Sequence, residues 1–387
     1  MRNSISRAIL HLSPVRPTAS ISPAGENKSG RITPECRFRL YQRCRSASAI
    51  CKNCVLEHSL TYRSKMPEIF DDKSEHCIPF LLERLKAHQA QYGNDPAKTP
   101  PFFLGLNGVQ GAGKTVLVST LHTTLRSPPY SLPVVTLSLD DLYLTHEDQV
   151  ALAKSHPTNP LLQHRGQPAT HDLPLAESVF ASLRAGRPTA IPAYDKSAFS
   201  GQGDRVPKEQ WQSVNGEGQE QVKVIIFEGW SVGFRAWDDE TLKAKWEDAV
   251  RRKEKEGEGY KGRLGHVRFE DVKTVNEALR NYDVLTDQLD ALIHIDAQDN
   301  HFVYDWRQEQ ERTLRAVKGI GMTEEQVNHF VDGYYPSYEL YSETLRAGAF
   351  KPVPHSTTAS ASPSGWEGKQ LRLIVNKSRR VQEVIKI

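Results

Sequence analysis

The chain has 387 residues, enough for two domains of ordinary size or one large α/β domain with extensions. Its net charge is +3, its charged and apolar fractions are those of an ordinary globular protein, and no apolar run approaches the roughly 20 residues of a membrane-spanning helix. The charge is unevenly placed: residues 1–65 carry 12 Lys/Arg against 3 Asp/Glu, a balance of +9, so the remaining 322 residues sum to −6. Basicity belongs to the N-terminal segment and gives no argument that the body binds nucleic acid or a membrane.

Residues 1–65 are rich in Ser and Arg, poor in acids and without a sustained apolar period. Three readings compete for them: a mitochondrial transit peptide, with Ile5, Ile9 and Leu10 on one helix face beside Arg2 and Arg7; a disordered tail; and a true translation start at Met66. Four of the five cysteines (Cys36, Cys44, Cys51, Cys54) lie here. Cys51 and Cys54 have zinc-ligand spacing, but Cys36 and Cys44 make no second close pair, which argues against a zinc cluster. The single Cys77 of the body fits a reducing compartment. The cytoplasm is the expected location, and the mitochondrion the alternative if residues 1–65 are a transit peptide.

The body, expected to be one catalytic domain over 66–387, opens with a helix from Cys77 to Tyr92 in which Ile78, Leu81, Leu82 and Leu85 recur at helical spacing. Pro100 and Pro101 break the chain, Phe102–Leu106 reads as a buried strand, and a Gly-rich loop and a helix to about Arg126 follow. A second strand, Val134–Leu139, ends in Asp140-Asp141. Thr145 caps the next helix with Asp148 as its partner, and a further helix runs from about Asp172 to Ala185, stopped by Gly186. Residues 193–207 look like a substrate loop. The third strand, Val222–Phe227, ends in Glu228, and the charge-dense 238–266 reads as a surface insertion. Helical pattern resumes near Val272, and Ala291–Ile295 is a fourth strand. Two helices are expected around 303–317 and 323–346, the second opened by a Thr323…Gln326 capping box. After a Ser/Pro-rich loop at 351–368, Leu371–Val375 supplies a fifth strand. Strands alternating with helices predict a doubly wound, mostly parallel sheet covered on both faces, with a helical lid.

Gly108-Val109-Gln110-Gly111-Ala112-Gly113-Lys114-Thr115 has the spacing of a phosphate-binding loop and lies between a predicted strand and a predicted helix. Its glycines let successive backbone N–H groups turn inward on phosphate, and the helix adds the positive end of its dipole. Lys114 should reach the β- and γ-phosphates, and the Thr115 hydroxyl should ligate Mg²⁺. Asp140 and Asp141 end the strand after the loop's helix, where ligands bind in such sheets. One of them can accept a hydroxyl proton and the other can hold a magnesium water, Asp140 being the metal-side candidate together with Glu228. Guanine readers carry Asn-Lys-x-Asp, and Asn376-Lys377-Ser378-Arg379 lacks the acid, so ATP is the expected donor.

Between Asp141 and Glu228 lies a set of polar groups on short loops. Tyr143, Arg165, His171, Tyr194, Lys196 and Arg205 are the candidates for holding the acceptor, with Arg165 and Arg205 suited to its carboxylate. His171 reads more as a structural hydrogen-bonder than as a proton carrier. Arg307, Arg312 and Arg315 follow the fourth strand and are candidate lid arginines, or simply helix charges paired with Glu309 and Glu311.

Ser138-Leu139-Asp140-Asp141-Leu142-Tyr143-Leu144-Thr145 resembles the Asp-Asp-Phe-Tyr signature of the uridine kinase, phosphoribulokinase and pantothenate kinase superfamily. Asn159–Leu162, Arg165–Asp172, Tyr194–Phe199, Gly203–Arg205, Phe227–Trp230 and Tyr304–Arg307 together resemble plant and fungal ATP-dependent D-glycerate 3-kinases. The resemblance spans about Ile78 to Ile387, apart from the charged stretch near 238–266. It implies a P-loop fold and transfer of the ATP γ-phosphate to the 3-hydroxyl of glycerate. The partner expected is thus a small hydroxy acid, with no nucleic acid or membrane; monomer and homodimer both stay open. The rival readings are a uridine- or pantothenate-type kinase and a regulatory P-loop ATPase without a small-molecule acceptor.

Overall fold

The computed structural model describes residues 71–319, 321–352 and 365–387. The readings made for residues 1–65, with their four cysteines and the start at Met66, lie outside the described residues, as does most of the 351–368 loop. Helix α1 (Ser74–Gln91) buries Cys77, Phe80, Leu81 and Leu85, one stripe at i, i+3, i+4 and i+8. Strand β1 (Phe102–Gly108) is buried along its whole length, and α2 (Lys114–Arg126) packs Leu117, Leu121 and Leu125 inward. Strand β2 (Val134–Ser138) leads through a short turn into α3 (His146–Ser155). Thr145 caps α3 by accepting the Asp148 N–H. Helix α4 (Leu173–Arg184) is capped by Asp172 and ends before Gly186.

Four short strands follow, β3 (Thr189–Ile191), β4 (Tyr194–Asp195), β5 (Asp204–Arg205) and β6 (Gln212–Val214); β3 pairs β6 and β4 pairs β5, both antiparallel. The main sheet resumes with β7 (Val224–Gly229). Then come α5 (Asp239–Glu256), α6 (Phe269–Arg280), α7 (Asp283–Thr286) and the fully buried β8 (Ala291–Ala297). The chain continues with α8 (Phe302–Lys318), α9 (Glu324–Asp332), α10 (Tyr335–Ala347), β9 (Gln370–Val375) and β10 (Val381–Lys386).

The sheet runs β10-β9-β8-β1-β7-β2, parallel throughout except for β10 on β9. Burial of every residue of β1 and β8 means that both faces of the sheet are covered, as a parallel sheet requires. The five expected strands are the five parallel ones. Strand β10 escaped the pattern reading because Gln382, Glu383 and Lys386 sit on an exposed edge, and strands of two or three residues carry too little period to read.

Two expectations need correction. The helix expected over 323–346 is two, α9 and α10, because Gly333 ends the first and Pro336 occupies the first turn of the second. The stretch 238–266 is not a loose surface insertion. It holds α5, whose charges face solvent while Leu242 and Ala249 are buried, followed by the buried Tyr260 and Leu264. Charge density hid a narrow apolar stripe. Leu242→Ala should therefore cost about 2–5 kcal/mol in urea denaturation, the range for emptying a buried leucine site. A cost under about 0.5 kcal/mol, the range of surface changes, would restore the insertion reading.

Candidate active site

The phosphate loop connects β1 to α2, and Gly113, in the left-handed region at φ +99°, starts the helix without a side-chain cap. The first-turn amides of α2 are therefore open to an anion. Val109 and Ala112 are buried, so only their backbone is available to a ligand. Lys114 Nζ donates to Gly108 O at 2.7 Å, folded back across the mouth of the loop. Thr115 is exposed on the first turn.

The outer side of the loop is braced from far along the chain. Gly111 has φ +82° and lies so close to Trp306 that an added Cβ would stand 2.5 Å from the Trp306 Cβ. Arg379 Nε donates to Gly111 O at 2.7 Å, and its Nη2 is fixed by Glu309 at 2.8 Å. Its guanidinium lies over the Trp306 ring, whose Nε1 donates to Lys377 O. The Gln110 N–H points at the Tyr338 hydroxyl, 3.4 Å away. The Asn376–Arg379 run that lacks a guanine-reading acid is thus a wall of the phosphate loop.

The carboxylates come together through strand register. Ser138 of β2 pairs with Glu228 of β7, and the Ser138 hydroxyl donates to Glu228 Oε1 at 2.7 Å. The same hydroxyl accepts the Asp140 N–H at the start of a 3-10 turn over Leu139–Leu142. Asp140 accepts the Tyr143 hydroxyl at 2.9 Å and carries the Lys196 ammonium on its other oxygen. Burial alone would raise the Asp140 carboxyl, but Lys196 and Tyr143 outweigh it and hold it below the ordinary carboxylate range. Asp141 has no cation on it; its Oδ1 accepts the Tyr194 N–H at 3.2 Å, and burial, with the Asp140 charge beside it, pushes it up to about 6. Two adjacent carboxyls are driven in opposite directions. Burial lowers Lys114, with Glu228 and Asp140 pulling the other way.

The acceptor-side candidates divide on inspection. Lys196 is exposed at the tip of the β4–β5 hairpin and reaches Asp140. Arg165 donates to the carbonyls of Lys196, Gly201 and Gln202 and lies over the Tyr194 ring. Gly203 permits that approach, since a Cβ there would meet Tyr194 at 2.5 Å and Arg165 at 2.9 Å. The Tyr194 hydroxyl is buried and has no partner among the described residues. Arg205 is occupied: it pairs with Asp172 at 3.0 Å and donates to Tyr143 O at 2.8 Å, bracing the hairpin against the turn after β2. His171 stacks on Tyr143 with ring centroids 4.5 Å apart, and its Nδ1 is 2.7 Å from the Tyr282 hydroxyl. That hydroxyl also accepts the Ala169 N–H, so the Tyr282 oxygen ties His171 to Ala169 within the 165–172 loop. Burial pushes His171 down to about 3, so it is neutral, and its Nε2 has no partner among the described residues.

Of the three lid arginines, Arg307 faces the site. Its charge reaches Lys114 and Tyr334, it pairs with Glu311 at 2.8 Å, and it lies over the Phe330 ring. Arg312 is exposed opposite Glu324 at 3.7 Å. Arg315 is turned onto Met322 O, closing the α8–α9 connection. The alternative for all three was pairing with Glu309 and Glu311: Arg307 meets it through Glu311, whereas Arg312 and Arg315 turn to Glu324 and Met322 O.

Asn107, Arg379 and Tyr334 were missed by sequence reasoning. Buried Asn107 holds Trp230 O and Val232 O at 3.0 and 2.8 Å, tying the chain after Glu228 to the strand that feeds the phosphate loop. A polar residue closing an apolar strand was the signal for it. Nothing local marks Arg379 or Tyr334, whose roles come from distant chain.

Among the described residues no group of three or more His, Cys, Asp or Glu is set to hold a metal. What the site offers is the exposed Thr115 hydroxyl and the carboxylates of Asp140 and Glu228 near Lys114. A few hard oxygen donors fit magnesium, which keeps its waters and arrives with phosphate.

An anion cradle beside an ionised carboxylate, at the C-terminal edge of a doubly wound sheet, defines a P-loop kinase of small molecules. No family model matches the chain. It is 40% identical over 247 residues to an uncharacterized kinase, mug58, of Schizosaccharomyces pombe, covering 63% of this chain and 82% of that one. It is 33% identical over 280 residues to the chloroplastic D-glycerate 3-kinase of Arabidopsis thaliana, covering 70% of this chain and 55% of that one. The structure of D-glycerate 3-kinase from Cryptococcus neoformans var. grubii superposes with a TM-score of 0.70 at 35% identity, covering 82% of this chain and all of that one. The chain belongs to the family of ATP-dependent kinases that contains the D-glycerate 3-kinases. Among the described residues no helix is long and apolar enough to cross a membrane.

Two outcomes test this geometry. The raised Asp141 carboxyl destabilises the folded chain once ionised: the stability is intact below the unfolded value near 4 and is lost as pH rises through about 6. Asp141→Asn should match the wild-type melting temperature at about pH 4 and exceed it at about pH 8, and an equal melting temperature at both would refute the assignment. Arg379→Gln removes a charge-assisted bond of about 1.5–3 kcal/mol from the loop, so the KM for ATP should rise roughly tenfold or more while the fold persists. An unchanged KM would reduce the brace to an incidental contact.

Proposed function

We propose that the chain transfers the γ-phosphate of ATP to the 3-hydroxyl of D-glycerate, giving 3-phosphoglycerate. The observation that carries this reading is the Lys196 ammonium seated on Asp140, with Arg165 gripping the backbone of the same hairpin. It places an exposed cation next to the base, as a small acid acceptor requires. The names of the relatives agree with it.

ATP lies with its phosphates in the loop 108–115, and Lys114 leaves Gly108 O for the β- and γ-phosphate oxygens. The acceptor carboxylate takes Lys196 and Arg165, which releases Asp140 to orient the hydroxyl; Arg205 is left to its bracing role. His171 Nε2 and the Tyr194 hydroxyl, both without a partner among the described residues, complete the polar lining for the acceptor. As the acceptor oxygen bonds to the γ-phosphorus, the bond to the bridging oxygen breaks and its electron pair stays on ADP. The hydroxyl proton passes to Asp140, which lies closer to Lys114 and Lys196 than the backbone-tied Asp141 does in electrostatic reach. Arg307 neutralises charge on the transferring group from the lid side. Thr115 and Glu228 would hold magnesium, leaving Asp140 as the base; when bound, the ion would supply neutralisation of phosphate charge.

The test is ADP release measured with D-glycerate, uridine and pantothenate in parallel. D-glycerate alone should stimulate release; stimulation by one of the others, or slow release indifferent to all three, overturns the reading. Lys114→Ala should abolish turnover with an unchanged circular dichroism spectrum. Asp140→Asn should lower kcat by about 10²–10⁴-fold, the usual contribution of a positioned base, with Asp141→Asn far milder. Similar losses in both would remove Asp140 from that role.

A further inference from the structure

A second cavity, of about 620 Å³, opens between the 160–167 loop, the 263–267 turn and α9. The phosphate loop, Asp140, Asp141, Glu228 and Lys196 do not line it, and it meets the acceptor side at Arg165, Gln167 and Tyr334. One wall is apolar, formed by Leu161, Val267 and Phe330; the other carries Arg165 and the exposed His164, His266 and His329. The one carboxylate in the lining, Asp332, is already taken by Arg263 Nε and the Tyr304 hydroxyl, each at 2.6 Å. The cavity therefore has more cationic and protonatable groups than its single carboxylate can meet. His164 has His329 and Arg165 as neighbours; His266 has Lys253, Arg263 and Asp332. Each residue keeps an exposed face, but partial desolvation first, and then the positive neighbours, hold both imidazoles below their usual range, with Asp332 pulling His266 the other way. A bound anion would reverse that state.

We propose that this cavity is a ligand site beside the proposed acceptor site, sharing Arg165 with it, for a small phosphomonoester with an apolar body. Imidazoles can each lend a proton, which matches a dianion better than a carboxylate. The volume leaves room beyond the phosphate for a group that covers Leu161 and Val267. Metal binding is disfavoured by geometry, since no His, Cys, Asp or Glu set among the described residues is spaced for it. The site has a lever on the catalytic centre. Phe330 forms part of its wall and lies 5.2 Å from the Arg307 guanidinium, while Tyr334 lines the cavity and stands in the field of Asp140.

The experiment is calorimetric titration of the full chain, saturated with magnesium and a non-hydrolysable ATP analogue so that the phosphate loop is blocked. Phenyl phosphate should bind at one site and more tightly than inorganic phosphate. His266→Gln combined with His329→Gln should weaken that binding at least tenfold while leaving kcat and the KM for ATP unchanged. Val267→Trp, filling the apolar wall, should abolish phenyl phosphate binding with a cooperative melt retained. Absence of binding to the wild type, or equal affinity in the histidine variant, overturns the proposal. Equal affinity would place the phosphate in the acceptor pocket instead, a result that leaves the kinase reading untouched.

Discussion

Pairing of β7 between β1 and β2 sets Glu228 level with Leu106 on one side and Ser138 on the other. Side chains alternate along a strand, so a slip of one residue would turn Glu228 to the opposite face and break the Ser138 bond. Nothing local prevents such a slip. What prevents it is burial: Val224–Phe227 and the whole of β1 are enclosed, and moving either run would unpack it against the covering helices. Glu228, the hydroxyl that bonds to it and the turn that presents Asp140 all follow from this one register.

The acceptor side rests on a different kind of support. The 165–172 loop is short and irregular, yet it is held by α10 and its approach. Gln167 donates to Gly333 O and accepts the Ser337 hydroxyl, and Tyr334 donates to Arg165 O. The segment holding the 165–172 loop therefore also joins directly to α9. A closing movement of α8 and α9 would be felt at the loop without passing through the sheet. Electrostatics adds to this division of labour, with Asp140 held ionised by cations and Asp141 kept from ionising readily by burial.

The elements legible in the sequence were those whose signal is local. Gly108–Thr115 carries its own conformational logic, and the Thr323–Gln326 box forms with both reciprocal bonds. The central strands read clearly because full burial demands unbroken apolar runs. Arg205 looked like an anion binder because its Gly-flanked loop is right for one; Asp172, more than thirty residues earlier, claims it instead. Arg312 and Arg315 looked like lid groups by position along α8, but facing direction is decided by packing. The break at Gly333 and Pro336 was visible in composition and outvoted by periodicity. The α5 stripe shows the converse, two buried apolar residues being too few to register among so many charges.

The bond from Arg379 to Gly111 spans 268 residues of chain. A nascent polypeptide emerging through β8 already contains every residue of the phosphate loop, but not the strut that fixes its outer wall. Loop closure over that distance is paid late, after the central strands have paired. Affinity for nucleotide would then mature with the last hairpin, and ATP, by binding only the finished loop, would draw the docking of that hairpin forward. In this chain the substrate of the reaction is also a ligand that rewards completed assembly.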